Sequence, residues 1–142
     1  YPRYIGLDVS PDAIQRCARR FAADPTKSFF RYDPACFVDR AGVFRADLAL
    51  SLDVIYHLTE EAVFDLYMQH LFASAGRVVV IYSNDSDRPS AAAHIRFHKF
   101  SDWIARRASG WSLVRHIPNR FPDTGDDRTG SFADFYVYRR ER

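Results

Sequence analysis

The amino-acid sequence predicts an α/β fold, in which a parallel sheet carries helices on both faces and ends in an antiparallel pair of strands. Two observations predict this class. Short runs rich in β-branched and aromatic residues alternate with segments of helical periodicity, and the last two such runs follow each other with no helix between them. The chain has 142 residues, of which 47% are hydrophobic and 27% charged, so we expect one domain with its own core.

The first elements are predicted from the segment YIGLDVSPDAI at residues 4–14. The strand ends on a carboxylate, Asp8, and Ser10 followed by proline is a suitable N-cap and first turn for a helix. This helix is expected to end near Asp24-Pro25, because the residue before a proline disfavours helical geometry. The segment SFFRYD then predicts a second strand that ends on Asp33.

The middle of the chain predicts a strand over residues 46–54, a helix and a strand over residues 77–83. Thr59 is expected to cap the helix and Gly76 to end it. The spacing of its apolar residues predicts an inward-facing stripe of Val63, Leu66, Tyr67, His70 and Leu71.

The last third begins with a polar loop, residues 84–99, that is too long to be only a connection. Ser101 is expected to cap a short helix that runs through Ala108 and is ended by Gly110. Two strands follow, at residues 111–117 and 131–140, and they should pair antiparallel because no helix separates them.

Composition excludes several classes of function. A net charge of +2 is too small to indicate nucleic acid or an anionic membrane as a partner. The apolar runs are far shorter than the ~18 residues of a membrane span, and no signal peptide is visible. With Cys17 on the apolar face of a predicted helix, the two cysteines are expected to be reduced thiols, which favours a cytoplasmic protein.

Acidic and polar residues end three of the predicted strands, namely Asp8, Asp33, and Ser51 with Asp53. Open parallel sheets bind ligands beyond the carboxyl ends of their strands, and in Rossmann-like folds an acid at a strand end accepts hydrogen bonds from a ribose. Such an acid follows a glycine-rich loop by ~20 residues. None of the six glycines forms a G-x-G, so we expect the loop to precede Tyr1.

The order of these segments, YIGLDVSPDAI, SFFRYD, ADLALSLDVIYHLTEE and the terminal strand pair, resembles a class I S-adenosylmethionine-dependent methyltransferase. The resemblance covers essentially the whole chain as one domain, residues 1–142, with the first strand and the glycine-rich motif missing. It implies a Rossmann-like fold, S-adenosyl-L-methionine as cofactor and methyl transfer as the activity. The acceptor is unknown, and a small molecule is favoured over a macromolecule.

The resemblance implies cofactor-binding roles for six residues at strand ends: Asp8, Val9, Asp33, Pro34, Ser51 and Leu52. The first two would hold the ribose and flank the adenine, the next two would lie at the adenine amine and line the ring, and the backbone of the last two would approach the methionine part. Read without the resemblance, Asp8 approaches a helix N-terminus and Asp33 is a turn residue before proline.

Three residues are predicted to serve the methyl acceptor as catalytic residues: Asp53, His57 and His94. Asp53 alternatively caps the segment that leads into the next helix. Some methyltransferases carry a metal-binding E-x-x-E-H segment here, but Tyr56 replaces the middle acid, so no metal is predicted and a structural role for His57 is favoured over metal binding.

Three interpretations of function are left open. The preferred one is a methyltransferase enzyme, and its alternative is a methyltransferase-like binding or scaffolding protein without activity. A dehydrogenase domain is the third, and the antiparallel ending argues against it. Within the loop, Arg96 and Lys99 either help to bind an anionic acceptor or belong to a solvated basic segment.

Overall fold

The computed structural model describes residues 3–90, 92–123 and 130–141, and the chain divides into two compact units, Tyr1–Phe44 and Arg45–Arg142. The α/β class is confirmed. In chain order the elements are β1 (Tyr4–Asp8), α1 (Pro11–Arg20), β2 (Lys27–Arg31), β3 (Ala46–Leu52), a single 3-10 turn (Ile55–His57), α2 (Glu61–Ser74), β4 (Ala75–Ser83), α3 (Phe100–Arg107), β5 (Trp111–Ile117) and β6 (Asp134–Arg140). Among the described residues, no helix is long and apolar enough to cross a membrane.

The first unit is a parallel pair of strands, β1 and β2, with α1 as the crossover between them. The predicted cap of α1 is confirmed, because Oγ of Ser10 accepts a hydrogen bond from the backbone of Ala13 at 3.2 Å. The predicted helix end near Asp24-Pro25 is wrong. The helix stops at Arg20, and the carboxylate of Asp24 instead accepts from the backbone of Thr26 at 3.0 Å, which turns the chain into β2.

Close packing in the first unit explains why position 6 is a glycine. The ring of Phe29 stacks on Phe21 with centroids 5.7 Å apart and also meets Tyr4 at 5.9 Å. A Cβ on Gly6 would lie 2.7 Å from a carbon of the Phe29 ring, so a larger side chain at this position would displace that ring. The second strand ends at Arg31, two residues before Asp33, where the sequence predicted it to end.

The second unit holds a four-stranded sheet in the order β3-β4-β6-β5. The strands β3 and β4 are parallel, whereas β6 is antiparallel to both of its neighbours, so the predicted antiparallel ending is confirmed. The described strands therefore pair in two sheets, where the sequence predicted one. β6 begins three residues later than predicted, because the backbone of Ser131 donates to the carbonyl of Phe121 instead of joining the sheet.

The core of the second unit lies on one face of its sheet, under α2 and α3. Its buried helix residues are Phe64, Met68, Leu71 and Phe72 of α2 with Phe100, Trp103 and Ile104 of α3. Only Leu71 of the predicted stripe of α2 is among them. Apolar residues occur on most sides of this helix, so the spacing did not single out the buried face, and contact with the sheet and α3 decided it.

The predicted ends of α2 are both wrong. The helix begins at Glu61, and the carbonyl of Thr59, the predicted cap, accepts a hydrogen bond from the side chain of Arg96 at 2.9 Å. Gly76 lies inside β4, because the strand begins directly after the helix, where Ala75 pairs with Ala46.

A long-range contact also moves the start of α3. The helix begins at Phe100, with Lys99 at the N-cap position, one residue before the predicted cap Ser101. The backbone of Ser101 donates to Oδ1 of Asp85 at 3.0 Å, so an acid from the preceding loop satisfies this helix end. Ala108 is the C-cap, in agreement with the predicted end.

Candidate functional site

The carboxyl ends of β1 and β2 bring Asp8 and Asp33 to the same edge of the first sheet. Oδ1 of Asp8 accepts a hydrogen bond from the backbone of Ser10 at 2.8 Å, and Oδ1 of Asp33 accepts from the backbone of Ala35 at 3.0 Å. Both side chains are exposed, and Oδ2 of Asp8 has no hydrogen-bond partner within the described part of the chain. One carboxylate oxygen at this edge is therefore free to accept a hydroxyl.

Apolar surface adjoins these acids. Val9 follows Asp8 directly and is 60% exposed, and Pro34 beside Asp33 is half-buried. An exposed apolar side chain next to an acceptor oxygen suits a ligand with an apolar ring and a hydroxyl group.

The last two residues of β3, Ser51 and Leu52, differ in the exposure of their side chains. Ser51 is 1% exposed, and its Oγ accepts a hydrogen bond from the phenol of Tyr67 at 2.8 Å. Burial raises the pKa of Tyr67 to about 12, so this phenol stays protonated as the donor. The Ser51 side chain therefore faces α2, and only its backbone is left for a ligand. Leu52 is on the opposite face of the strand and 48% exposed.

Asp53 follows β3 in a left-handed backbone conformation, with φ of 57°. Its N–H donates to the carbonyl of Tyr82 in β4 at 3.1 Å, and its Oδ1 accepts from the phenol of Tyr56 at 2.8 Å. Burial, and then the bond to Asp53, raise the pKa of Tyr56 above its usual value. These contacts hold the carboxylate at the strand end, and Asp53 does not cap the segment that leads into α2, because Val54 is the N-cap of the 3-10 turn there.

Of the three predicted catalytic residues, the structure brings His57 and His94 into contact, and Asp53 is connected to them through Tyr56. His57 is exposed and its Nδ1 donates a long hydrogen bond of 3.4 Å to the carbonyl of His94. The two imidazole rings are nearly parallel, with centroids 6.1 Å apart. Because Nδ1 of His57 is the donor, its Nε2 carries a lone pair that can accept a proton. Tyr56 links this pair to Asp53, since its ring lies 4.5 Å from that of His57.

Tyr56 belongs to the candidate site by its contact with Asp53, and the sequence reasoning did not include it among the site residues. Phe132 packs edge-on against its ring at 5.0 Å, and its phenol reaches back to Asp53, three residues earlier in the chain. The spacing Asp-x-x-Tyr directly after a strand was the available signal, although the 3-10 turn spans Ile55–His57 and does not include Asp53.

The basic residues of the loop are already bound to carboxylates. Nη2 of Arg96 lies 2.7 Å from Oε2 of Glu61, and Nζ of Lys99 lies 3.1 Å from Oδ2 of Asp85. These ion pairs do not support the interpretation of this loop as an anion site. The Arg96 pair holds the loop against the start of α2, and the Lys99 pair joins the end of the loop to its first residues.

His98 has a structural position. It is 5% exposed, its ring stacks on Phe64 with centroids 3.9 Å apart, and its Nε2 donates to the carbonyl of Leu58 at 2.7 Å. Burial lowers its pKa, with the nearby Arg96 acting in the same direction and the hydrogen bond to Leu58 and the charge of Glu61 opposing it. His98 is therefore neutral near pH 7, which leaves Nδ1 as an acceptor.

A cavity of about 600 Å³ in the second unit is lined mostly by the loop after β4, residues 87–99, with the first turn of α2 and with α3. Glu61, Phe64, His98, Trp103 and Arg106 are among its lining residues, and none of the predicted catalytic or cofactor-binding residues is. In the described ranges, no three His, Cys, Asp or Glu side chains lie close enough together to hold a metal ion.

Comparison with solved structures identifies the fold. The methyltransferase domain of bacterial CtHen1 matches 100% of this chain and 79% of its own, with a TM-score of 0.70 and 20% identity. The N-methyltransferase NodS from Bradyrhizobium japonicum WM9 matches 99% of this chain and 74% of its own, with a TM-score of 0.73 and 16% identity. The magnesium protoporphyrin IX methyltransferase ChlM from Synechocystis PCC 6803, solved with bound SAH, matches 96% and 64%, with a TM-score of 0.65 and 17% identity.

No protein-family model matches the sequence, and no curated protein sequence matches it significantly. At identities of 16 to 20% the structural likeness establishes the fold and leaves activity to be argued from the site. The chain has the fold of class I methyltransferases.

Proposed function

We propose that this protein transfers a methyl group from S-adenosylmethionine to an acceptor that carries an O–H or N–H group. The observation that carries the proposal is the match of nearly the whole chain to methyltransferase structures, together with an exposed carboxylate at the end of β1. Two of the matched enzymes, ChlM and NodS, were solved with the demethylated cofactor S-adenosylhomocysteine bound.

The residues at the edge of the first sheet fit the adenosyl part of this cofactor. Oδ2 of Asp8 is proposed to accept hydrogen bonds from the ribose hydroxyls, since the backbone of Ser10 takes only Oδ1. The exposed side chain of Val9 supplies apolar contact for the adenine, as does Pro34, and Asp33 is proposed to accept from its amine.

In the second unit, the backbone of Ser51 and the exposed Leu52 are proposed to meet the methionine part of the cofactor. Asp53, His57 and His94 are proposed to face the acceptor, because they lie together just beyond the end of β3. When bound, the cofactor supplies an electrophilic methyl group on a sulfonium, so that the acceptor forms a bond to carbon while the carbon–sulfur bond breaks.

The task left to the protein is alignment and removal of one proton from the acceptor. We propose two groups that take this proton, the carboxylate of Asp53 and Nε2 of His57, and the support for them is their contacts with Tyr56 and with the carbonyl of His94. The bond from Tyr56 fixes the carboxylate, and the bond to the carbonyl of His94 fixes the tautomer of the imidazole.

Calorimetric titration of the full chain with S-adenosylmethionine and with S-adenosylhomocysteine tests the proposal. We expect heat of binding for both ligands, and no competition for this site by NAD, which a dehydrogenase domain would bind. Absence of binding by either adenosyl ligand would overturn the proposal and favour a methyltransferase-like binding or scaffolding protein.

A further inference from the structure

Two of the nearly parallel ring pairs in the second unit differ in their spacing. His98 and Phe64 are in direct stacking contact, with centroids 3.9 Å apart and an angle of 5°. His57 and His94 are also nearly parallel, at 18°, but their centroids are 6.1 Å apart and both residues are exposed. Since direct face-to-face contact between rings takes about 3.5–4 Å, the two imidazoles do not cover each other's faces, and a planar group can stack on these exposed rings.

Arg96 anchors the loop segment that carries His94, which lies two residues before it. The backbone of Arg96 donates to the carbonyl of Tyr56 at 2.8 Å, Nη1 donates to the carbonyl of Thr59 at 2.9 Å, and Nη2 binds Oε2 of Glu61 at 2.7 Å. These three bonds all attach the loop to the segment that carries His57. The two segments that carry these rings are therefore held together before any ligand binds, which lowers the entropy cost of binding.

The residues around His57 and His94 suit a planar ligand that carries an O–H or N–H group. Tyr56 lies 4.5 Å from the ring of His57, and Phe132 packs edge-on against Tyr56, so one wall of this region is aromatic. The phenol of Tyr56 reaches Asp53, whose Oδ2 has no hydrogen-bond partner among residues 3–90, 92–123 and 130–141. A ring that stacks here has a carboxylate oxygen nearby to accept its O–H or N–H.

We propose that the methyl acceptor is a planar aromatic or heteroaromatic molecule that stacks with the imidazoles of His57 and His94. His94 is a residue that determines this specificity, and Arg96 is a positioning residue that keeps the two rings parallel. The inference rests on the proposed function in one respect, which is that the stacked molecule is the acceptor of the methyl group.

Proton NMR of the full chain tests the stacking with a matched pair of probes, 2-naphthol and decahydro-2-naphthol, which share a skeleton and a hydroxyl. We expect 2-naphthol to shift the imidazole Hε1 signals of His57 and His94 upfield, through its ring current, and to leave those of the buried His98 in place. The saturated probe should shift neither. Equal effects of the two probes, or no effect of either, would overturn the proposal.

Substitutions at His94 distinguish the contribution of its planar ring to binding from that of its ring nitrogens. His94→Phe keeps a planar ring and should keep the affinity for 2-naphthol, whereas His94→Leu keeps apolar bulk and should weaken it about fivefold or more. Retained affinity in His94→Leu would contradict the stacking.

Arg96→Lys tests the positioning role of Arg96. It keeps the charge but loses the two-pronged contact with Thr59 and Glu61, and it should weaken 2-naphthol binding with the affinity for S-adenosylhomocysteine unchanged. A purely structural Arg96 would lower the unfolding temperature and leave both affinities as they are.

The same titrations distinguish the two proposals. Binding of S-adenosylhomocysteine without discrimination between the probes would refute the planar acceptor and leave methyl transfer in place. Discrimination between the probes without binding of S-adenosylhomocysteine would refute methyl transfer, and with it the identification of the stacked molecule as an acceptor.

Discussion

The phenol of Tyr56 donates a 2.8 Å hydrogen bond to Oδ1 of Asp53, the one described non-glycine residue with a positive φ. A left-handed conformation costs an aspartate about 1 kcal/mol, so contacts elsewhere must hold it. Tyr56 on one side and the carbonyl of Tyr82 on the other supply these contacts. The residue proposed to face the acceptor is thus held in a strained backbone conformation at the end of β3.

Removing the phenol should therefore cost both stability and activity. Tyr56→Phe is expected to lower the free energy of unfolding by about 1 kcal/mol, measured by urea denaturation, because one hydrogen bond to a carboxylate is lost. Tyr138→Phe is the matched control, since the buried phenol of Tyr138 has no hydrogen-bond partner among the described residues. The control should be neutral or stabilising, and an equal loss in both variants would contradict the role of Tyr56.

The carboxylate at the end of β1 gives a test of the cofactor assignment. Asp8→Ala should reduce the affinity for S-adenosylhomocysteine about tenfold or more, because the ribose loses a charged acceptor. Asp12→Ala removes another acid, in the first turn of α1, and should leave this affinity unchanged. Calorimetry on both variants decides the matter, and equal affinities for Asp8→Ala and the parent chain would refute the assignment to the ribose.

Ser51 should matter for stability through its side chain and for the cofactor only through its backbone. Ser51→Ala takes the acceptor away from the phenol of Tyr67, and we expect a loss of about 1 kcal/mol in urea denaturation. Its affinity for S-adenosylmethionine should be unchanged. Ser83→Ala is the control for loss of a hydroxyl, since the buried hydroxyl of Ser83 has no hydrogen-bond partner among the described residues. The opposite pattern, with stability kept and affinity lost, would place the hydroxyl at the ligand.

Stability should fall when the pH falls below the ordinary pKa of histidine. Burial lowers the folded-state pKa of His98 and also that of His70, so the unfolded chain binds protons at a higher pH than the folded one does. The stabilisation is complete above about pH 6.5 and is lost progressively below it, towards the lowered folded-state pKa values.

A variant isolates the contribution of His98 to this pH dependence. His98→Gln keeps an N–H for the carbonyl of Leu58 but cannot titrate, so its urea midpoint should fall less than that of the parent chain between about pH 7 and about pH 5.5. His70 accounts for part of the remaining slope. Identical slopes in the two proteins would show that His98 does not take up a proton in this range.

Local chemistry explains which predictions were confirmed. The cap of α1 by Ser10 depends on residues within one turn of each other, and β5 was located from its own residues. The wrong helix ends depend on distant partners. The backbone of Ser101 is bound by Asp85, and the carbonyl of Thr59 is bound by Arg96, 37 residues later. No pattern within one helix could indicate these contacts.

The sequence by itself determined the α/β class, the strand end that carries Asp8, and the resemblance to methyltransferases, because periodicity and turn chemistry are properties of neighbouring residues. It placed the end of β3 two residues too late, since the strand stops at Leu52. Only the tertiary structure decided that Arg96 is neutralised by Glu61 and that the His94 ring lies parallel to that of His57. These pairs are far apart along the chain, and they meet because the loop after β4 folds back onto the start of α2.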